Sequence, residues 1–291
     1  MQIPENLQHL DITNYNPLND VIFKFIFGKE ERKQITIDFL NAVLMDTLHH
    51  PIRDLRFSNA EMSPENESDK ATRFDIACVL DSGEQVDVEV QVINEKNMER
   101  RTLYYWAQMY LMSLPRGYSY NRLKPAITVN LLAFNLLPQK EPHAVYGLYN
   151  IQTGHQLTED LELHFLEIPK YAAEPPKPVA AMTKMERWLA YFANKLDKKG
   201  KEELAMSEPA IRSAMDAAQI FLNNTEERRR YINREMAIMD REAQLEYATE
   251  KGEDKLGRLI AILLNAGKTA DAAKASIDRD YRNKLYEQYG I

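Results

Sequence analysis

Residues 73–92 read RFDIACVLDSGEQVDVEVQV, and this stretch leaves the chain little conformational choice. Two runs that alternate with period two flank Asp81, Ser82 and Gly83, which specifies an antiparallel hairpin. With those three residues as the loop, Gly83 takes the left-handed position that glycine fills without steric cost. Leu80 then pairs with Glu84, and counting outward sets Asp75 opposite Glu89. Directly opposed residues share a face, with Cβ atoms about 4.5–5.5 Å apart. A two-residue loop would set Asp75 against Val90, on the wrong face.

On the second strand Val86, Val88, Val90 and Val92 form a core-like face, and Asp87, Glu89 and Gln91 alternate with them. Opposed carboxylates repel. A hard divalent cation, held by one or two carboxylates with waters completing its shell, removes that conflict. It can also polarise a phosphate and activate water. Gln91 shares the face and is placed to orient that water or a phosphate oxygen. Asp87, nearer the turn, is expected to be more exposed. A plainer reading stands beside this one, because half-exposed strands often alternate valine with acids where one face meets water.

Composition narrows the alternatives. The 291 residues carry a net charge of -7, which argues against a protein that coats nucleic acid by charge alone. The single cysteine, Cys78, excludes an internal disulfide framework and falls on the apolar strand face, where it reads as a small buried hydrophobe. No basic-then-apolar leader and no run of about 18 apolar residues is present, so the expectation is a cytoplasmic protein without a membrane span.

Elsewhere, residues 19–45 read as helical, with Gly28 as a stop, and 52–62 as extended. SPENESDKA reads as loop. A helix is expected from about Asn97, burying Leu103, Trp106, Ala107, Tyr110, Leu111 and Leu114. PAITVNLLAFNLL reads as a buried strand, and 161–170 as a further strand. AEPPKPV reads as a stiff connector. Beyond it the chain is helical: Thr183 and Glu186 have capping-box spacing, and Ile211, Met215, Ala218, Phe221 and Leu222 share a face. A long charged helix is expected from Thr225, with EERRRYINRE as a solvated surface. Leu256, Leu259, Ile260, Leu263 and Leu264 form a last stripe before Gly267. The element order is αβββαββ followed by a helical bundle. The six histidines show no metal-ligand spacing.

The combination of Asp75, the turn, Glu89-x-Gln91 and a following helix with Arg101, Tyr104 and Tyr105 resembles the PD-(D/E)XK nuclease superfamily. It is closest to the branch of transposases and recombination-promoting (Rpn-like) nucleases. The segments that carry the resemblance are NDVIFKFIFG, FLNAVL, SNAE, FDIACVLDSGEQVDVEVQ, RRTLYYWAQMY, GYSYNRLKPAITVNLLAF and HFLEIPK, spanning roughly residues 15–172.

The resemblance implies an α/β, restriction-endonuclease-like αβββαβ core with a helical C-terminal region. It implies Mg²⁺-dependent hydrolysis of DNA phosphodiesters, with Mn²⁺ able to substitute, linked to transposition or recombination. Asp75 and Glu89 match the metal ligands and Gln91 the third catalytic position, where the superfamily usually has lysine and this branch commonly has glutamine. Arg101, Tyr105 and Gln108 share a helix face and are candidates for binding substrate. Asp20 and Glu61 are candidate outer acids, and Lys170 matches the family's EIPK.

The expected domains are 10–172, nuclease-like; 173–180, connector; and 181–291, helical. DNA is the expected partner, and the C-terminal helices are a candidate surface for homo-oligomers. The rival reading is a non-catalytic DNA- or protein-binding assembly protein that keeps the nuclease fold.

Overall fold

Asn19 opens the first helix by accepting the Val21 N–H on its side chain. In the computed structural model, which describes residues 14–48, 50–58, 61–62, 72–114 and 117–291, helix α1 (Asp20–Phe27) buries Ile22, Phe23, Ile26 and Phe27. Helix α2 (Lys33–Val43) packs a second apolar face beside it, including Phe39 and Leu40.

Strand β1 (Leu55–Phe57) and a short ladder of β2 (Glu61–Met62) with β3 (Thr72–Arg73) lead to β4 (Ile76–Leu80) and β5 (Gln85–Gln91). The hairpin has the expected register. Ile76 pairs with Val88 and Cys78 with Val86. The Leu80 N–H donates to the Glu84 carbonyl at 2.9 Å, closing a loop in which Gly83 sits at φ +103°. One residue out from Ile76 and Val88, Asp75 meets Glu89.

Helix α3 (Met98–Met112) then carries the chain to β6 (Ala126–Leu132), parallel to β5 and wholly buried. Strands β7 (His143–Tyr149) and β8 (Gln156–Glu167) complete a six-stranded sheet in the order β1-β4-β5-β6-β8-β7. Strand β7 has no counterpart in the sequence reading. HAVYGLY has neither clean alternation nor a continuous apolar run, and its ladder to β8 carries register shifts. Strand β8 ends at Glu167, so Lys170 lies not on a strand but in helix α4 (Ile168–Ala173).

The valine face of β5 packs with Ile127, Val129 and Leu131 of β6 into the core beneath α1 and α2. The opposite face is covered by α3, whose buried side differs from the expected stripe. Met98, Thr102 and Met109 are buried, whereas Leu103 and Leu111 are 48% and 71% exposed. The helix is turned by two polar ties to the sheet: the Thr102 hydroxyl bonds Asn130 at 2.7 Å, and the Trp106 indole donates to the Ala126 carbonyl at 2.9 Å.

The proline-rich segment is crossed by a continuous core. Helices α5 (Lys184–Ala193), α6 (Lys198–Ser207) and α7 (Pro209–Asn223) lie beyond it, α5 starting on a complete Thr183–Glu186 capping box. Trp188 meets Phe39 edge-on at 5.5 Å, Phe192 lies 5.8 Å from Phe27, and Phe221 lies 4.9 Å from Phe25. Residues after the prolines therefore fill the space under α1 and α2.

The start of α8 (Thr225–Asn265) is docked rather than merely solvated. Tyr231 is buried, its hydroxyl accepts the Asn16 N–H at 2.8 Å, and Glu235 binds the Asn19 amide at 2.7 Å. The chain divides into two compact units, one ending at Met236 and one spanning Ala237–Ile291. In the second unit α9 (Thr269–Ile277) and α10 (Arg279–Tyr289) share a small core of Leu259, Leu263, Ala272, Ala275 and Leu285, while Leu264 is exposed. Among the described residues no helix is long and apolar enough to cross a membrane.

Candidate active site

Asp75 and Glu89 are held against each other by their own backbones. The Asp75 N–H donates to Glu89 Oε1 at 2.9 Å, and the Val90 N–H donates to Asp75 Oδ2 at 2.9 Å. Each acid also receives one cation from a helix. Lys24 of α1 lies 2.8 Å from Asp75 Oδ1, and Arg101 of α3 lies 3.2 Å from Glu89 Oε2. Gln91 closes the ring: its amide nitrogen donates to Glu89 Oε2 at 3.2 Å, and its amide oxygen accepts from Arg101 at 3.1 Å. The Arg101 guanidinium also lies over the Tyr105 ring, 5.0 Å from its centre.

Asp87 departs from expectation. It is fully buried, flanked by Ala77 on β4 and Thr128 on β6, and neither carboxylate oxygen has a hydrogen-bond partner. The alternation of a strand shows which face a residue takes but not whether a helix covers that face, and here α3 does. Arg101 Nε is likewise buried without a partner.

Three acids and two cations leave a charge deficit. Burial, with the Asp75 charge beside it, pushes the Glu89 carboxyl up to about 8. Burial, then Glu89 and Asp75, push Asp87 well above the usual carboxylate range. The same burial and the nearby Asp87 push the Cys78 thiol up to about 12, which suits an inert core cysteine.

This donor set fits a hard divalent cation. Two opposed carboxylates are what Mg²⁺ takes from protein, both Asp75 oxygens and Glu89 Oε1 keep a lone pair beside their present bond, and the orphaned Asp87 marks a local shortage of positive charge. Among the described residues no group of three or more His, Cys, Asp or Glu side chains is arranged to hold a metal; Asp87 lies two residues from Glu89 on β5.

Of the other candidates, Arg101 and Tyr105 face the pair, while Gln108 is half-buried on α3 with no bond to either acid. Asp20 is held by Arg234 at 2.6 Å; the residue of α1 that reaches Asp75 is Lys24. Glu61 pairs through its backbone with Arg73, and its side chain lies outside the described residues. Lys170 forms an ion pair with buried Glu167 and donates to the Leu137 carbonyl at 2.9 Å, clamping the loop after β6.

Asn130 is a residue that sequence reasoning passed over. It takes the Thr102 hydroxyl and donates to the His164 carbonyl at 3.0 Å, joining α3 to β6 and β8. Its signal was a lone amide in the apolar run ITVNLL.

A family model described as PD-(D/E)XK nuclease family transposase matches residues 17–248. The chain belongs to that family. The match covers the sheet, the carboxylate pair, α1 and α3, and runs past the proline-rich segment into α8, as the shared core does. No curated protein and no solved structure matches the chain. Nucleases of this superfamily generally use divalent metal ions and act on DNA.

Proposed function

We propose that the chain is a divalent-metal-dependent DNA endonuclease, with Mg²⁺ as the physiological ion and Mn²⁺ as a substitute, serving transposition or recombination. The observation that carries this reading is the Asp75–Glu89 pair, set face to face by the hairpin register, with buried Asp87 beside it leaving the three acids one cation short. Asp75 and Glu89 would hold the ion, which when bound would polarise the phosphate and lower the pKa of an attacking water.

The chain's own groups do the rest. Arg101 presents a planar fork suited to two phosphate oxygens, supported by Tyr105 beneath it. Gln91 cannot donate a charged proton as lysine would. Its amide bridges Arg101 and Glu89 and is placed to orient what binds beside them. Lys24, beside Asp75 and one-third exposed, supplies the ammonium that the strand lacks and can stabilise charge developing on phosphate.

The test is nicking of supercoiled plasmid with Mg²⁺ or Mn²⁺ by purified protein. Asp75→Ala and Glu89→Ala should each lose the activity. Cleavage by both variants at the wild-type rate would exclude this site.

A second reading has an observation of its own. All four oxygens of Asp75 and Glu89 already have protein partners, as in a self-satisfied ion-pair network of a binding or assembly protein. In that case added Mn²⁺ would give no thermal stabilisation that depends on Asp75 and Glu89.

A further inference from the structure

The chain as a whole carries -7, yet residues 96–124 hold six basic residues against one acid, a net +5. The same segment contains Tyr104, Tyr105, Trp106, Tyr110, Tyr118 and Tyr120. The structure lays out its described residues, 96–114 and 117–124, from the carboxylate pair outward. Arg101 is at the pair, and α3 rises about 1.5 Å per residue, so Leu111 lies roughly 15 Å further on. A short turn at Tyr120–Arg122 then returns the chain to β6, with the Lys124 stem packed beside Gly83.

The outward side of this segment is aromatic and apolar as well as basic. Tyr104, Tyr118 and Tyr120 are 41%, 50% and 82% exposed, and Leu103, Leu111 and Met112 of α3 are exposed as well. Arg122 lies over the Tyr118 ring, 4.8 Å from its centre, giving a flat face with a charge attached. Arg100 and Lys124 are exposed at either end.

We infer that this tract binds an unpaired DNA strand, feeding it to the carboxylate pair. The inference rests on the nuclease reading and names its substrate class. Duplex DNA offers phosphates outward and keeps its bases stacked inside, so lysines and arginines alone would serve it. Exposed tyrosine faces gain contact only when bases are unstacked, which is how sequence-tolerant single-strand binders combine aromatic platforms with a basic groove. A span of about 15 Å suits a few unpaired nucleotides.

The test is fluorescence anisotropy of the full chain in EDTA, so that no cleavage occurs, with labelled oligothymidine of 20 nucleotides and a blunt duplex of 20 base pairs as probes. The oligothymidine should bind at least tenfold tighter than the duplex. Tyr118→Ala and Tyr120→Ala should each weaken it roughly tenfold, while Tyr120→Phe should bind as wild type because the ring and not the hydroxyl is used. Arg122→Ala and Lys124→Ala should each lower the salt slope by about 0.7. Both tyrosines are exposed, so the variants should melt as wild type does.

Equal binding of the two probes, or silent tyrosine variants, overturns the inference while leaving the nuclease reading intact. If neither probe binds and the plasmid is not nicked, both fall together.

Discussion

Replacing Glu89 by glutamine should stabilise the metal-free protein at pH 8. The carboxyl titrates near 8 in the folded chain against 4.5 in the unfolded one, so the folded state takes up a proton between those values. Stability contributed by this group is therefore complete below pH 4.5 and is lost as pH rises toward 8. A raised carboxyl pKa thus acts in the opposite sense to the usual salt-bridged acid. At 1.36 kcal/mol per unit the full cost of ionisation is on the order of 5 kcal/mol. Against it stands the bond from Arg101 to Glu89 Oε2, worth about 1.5–3 kcal/mol for a charged partner, which an amide at that oxygen meets poorly. The net gain at pH 8 is about 2–3 kcal/mol. For a unit of this size that corresponds to roughly 4–10 °C in Tm. Thermal melts in EDTA from pH 5 to pH 8.5 measure it: wild type should lose stability with rising pH, and Glu89→Gln should follow a flatter line, converging near pH 5. A variant less stable than wild type at pH 8 would refute the charge-deficit argument.

Three further outcomes follow from the same structure. Mn²⁺ affinity measured by calorimetry should tighten roughly fifty-fold between pH 6 and pH 8, because the ion competes with the proton on Glu89; a flat profile would place the ion elsewhere. Gly83→Ala puts a side chain at φ +103° with its Cβ 3.2 Å from the Lys124 stem, and should lower stability by about 1–3 kcal/mol, read from urea midpoints. A chain truncated after residue 180 loses Trp188, Phe192 and Phe221 from the core and should show no cooperative near-UV melt. A sharp transition would mean that the nuclease-like part folds without them.

The hairpin was legible because two independent signals coincide there, a glycine that admits one loop length and an alternation that admits one face. Fold class followed from the family resemblance, with which the element order agrees. What escaped depended on partners far away in sequence. Asp87 looked exposed because its distance from the turn says nothing about α3 above it. The α3 stripe was misplaced by reading Leu103 and Leu111 as inward, when the ties to Asn130 and Ala126 set the helix's rotation and hydrophobicity does not report them. Lys24 lies four residues after Asp20 on α1; its pairing with Asp75 needs the sheet to be in place. The arginine-rich start of α8 looked solvated because one buried tyrosine among charges carries little periodic signal. The prolines marked a change in composition, and local composition does not show that a core continues beyond it.

The Thr102–Asn130–His164 tie has a consequence for uniqueness. Apolar contacts between α3 and the sheet are forgiving: Met98 and Met109 could be exchanged for other apolar neighbours if the helix slid by one turn. Such a slide would leave the buried Asn130 amide oxygen and the buried Thr102 hydroxyl without each other, at about 1–3 kcal/mol for each. Asn130 therefore acts as a key that fits only one seating of the helix. Because Arg101 directly precedes Thr102 on that helix, the key also decides which side chain stands over Glu89.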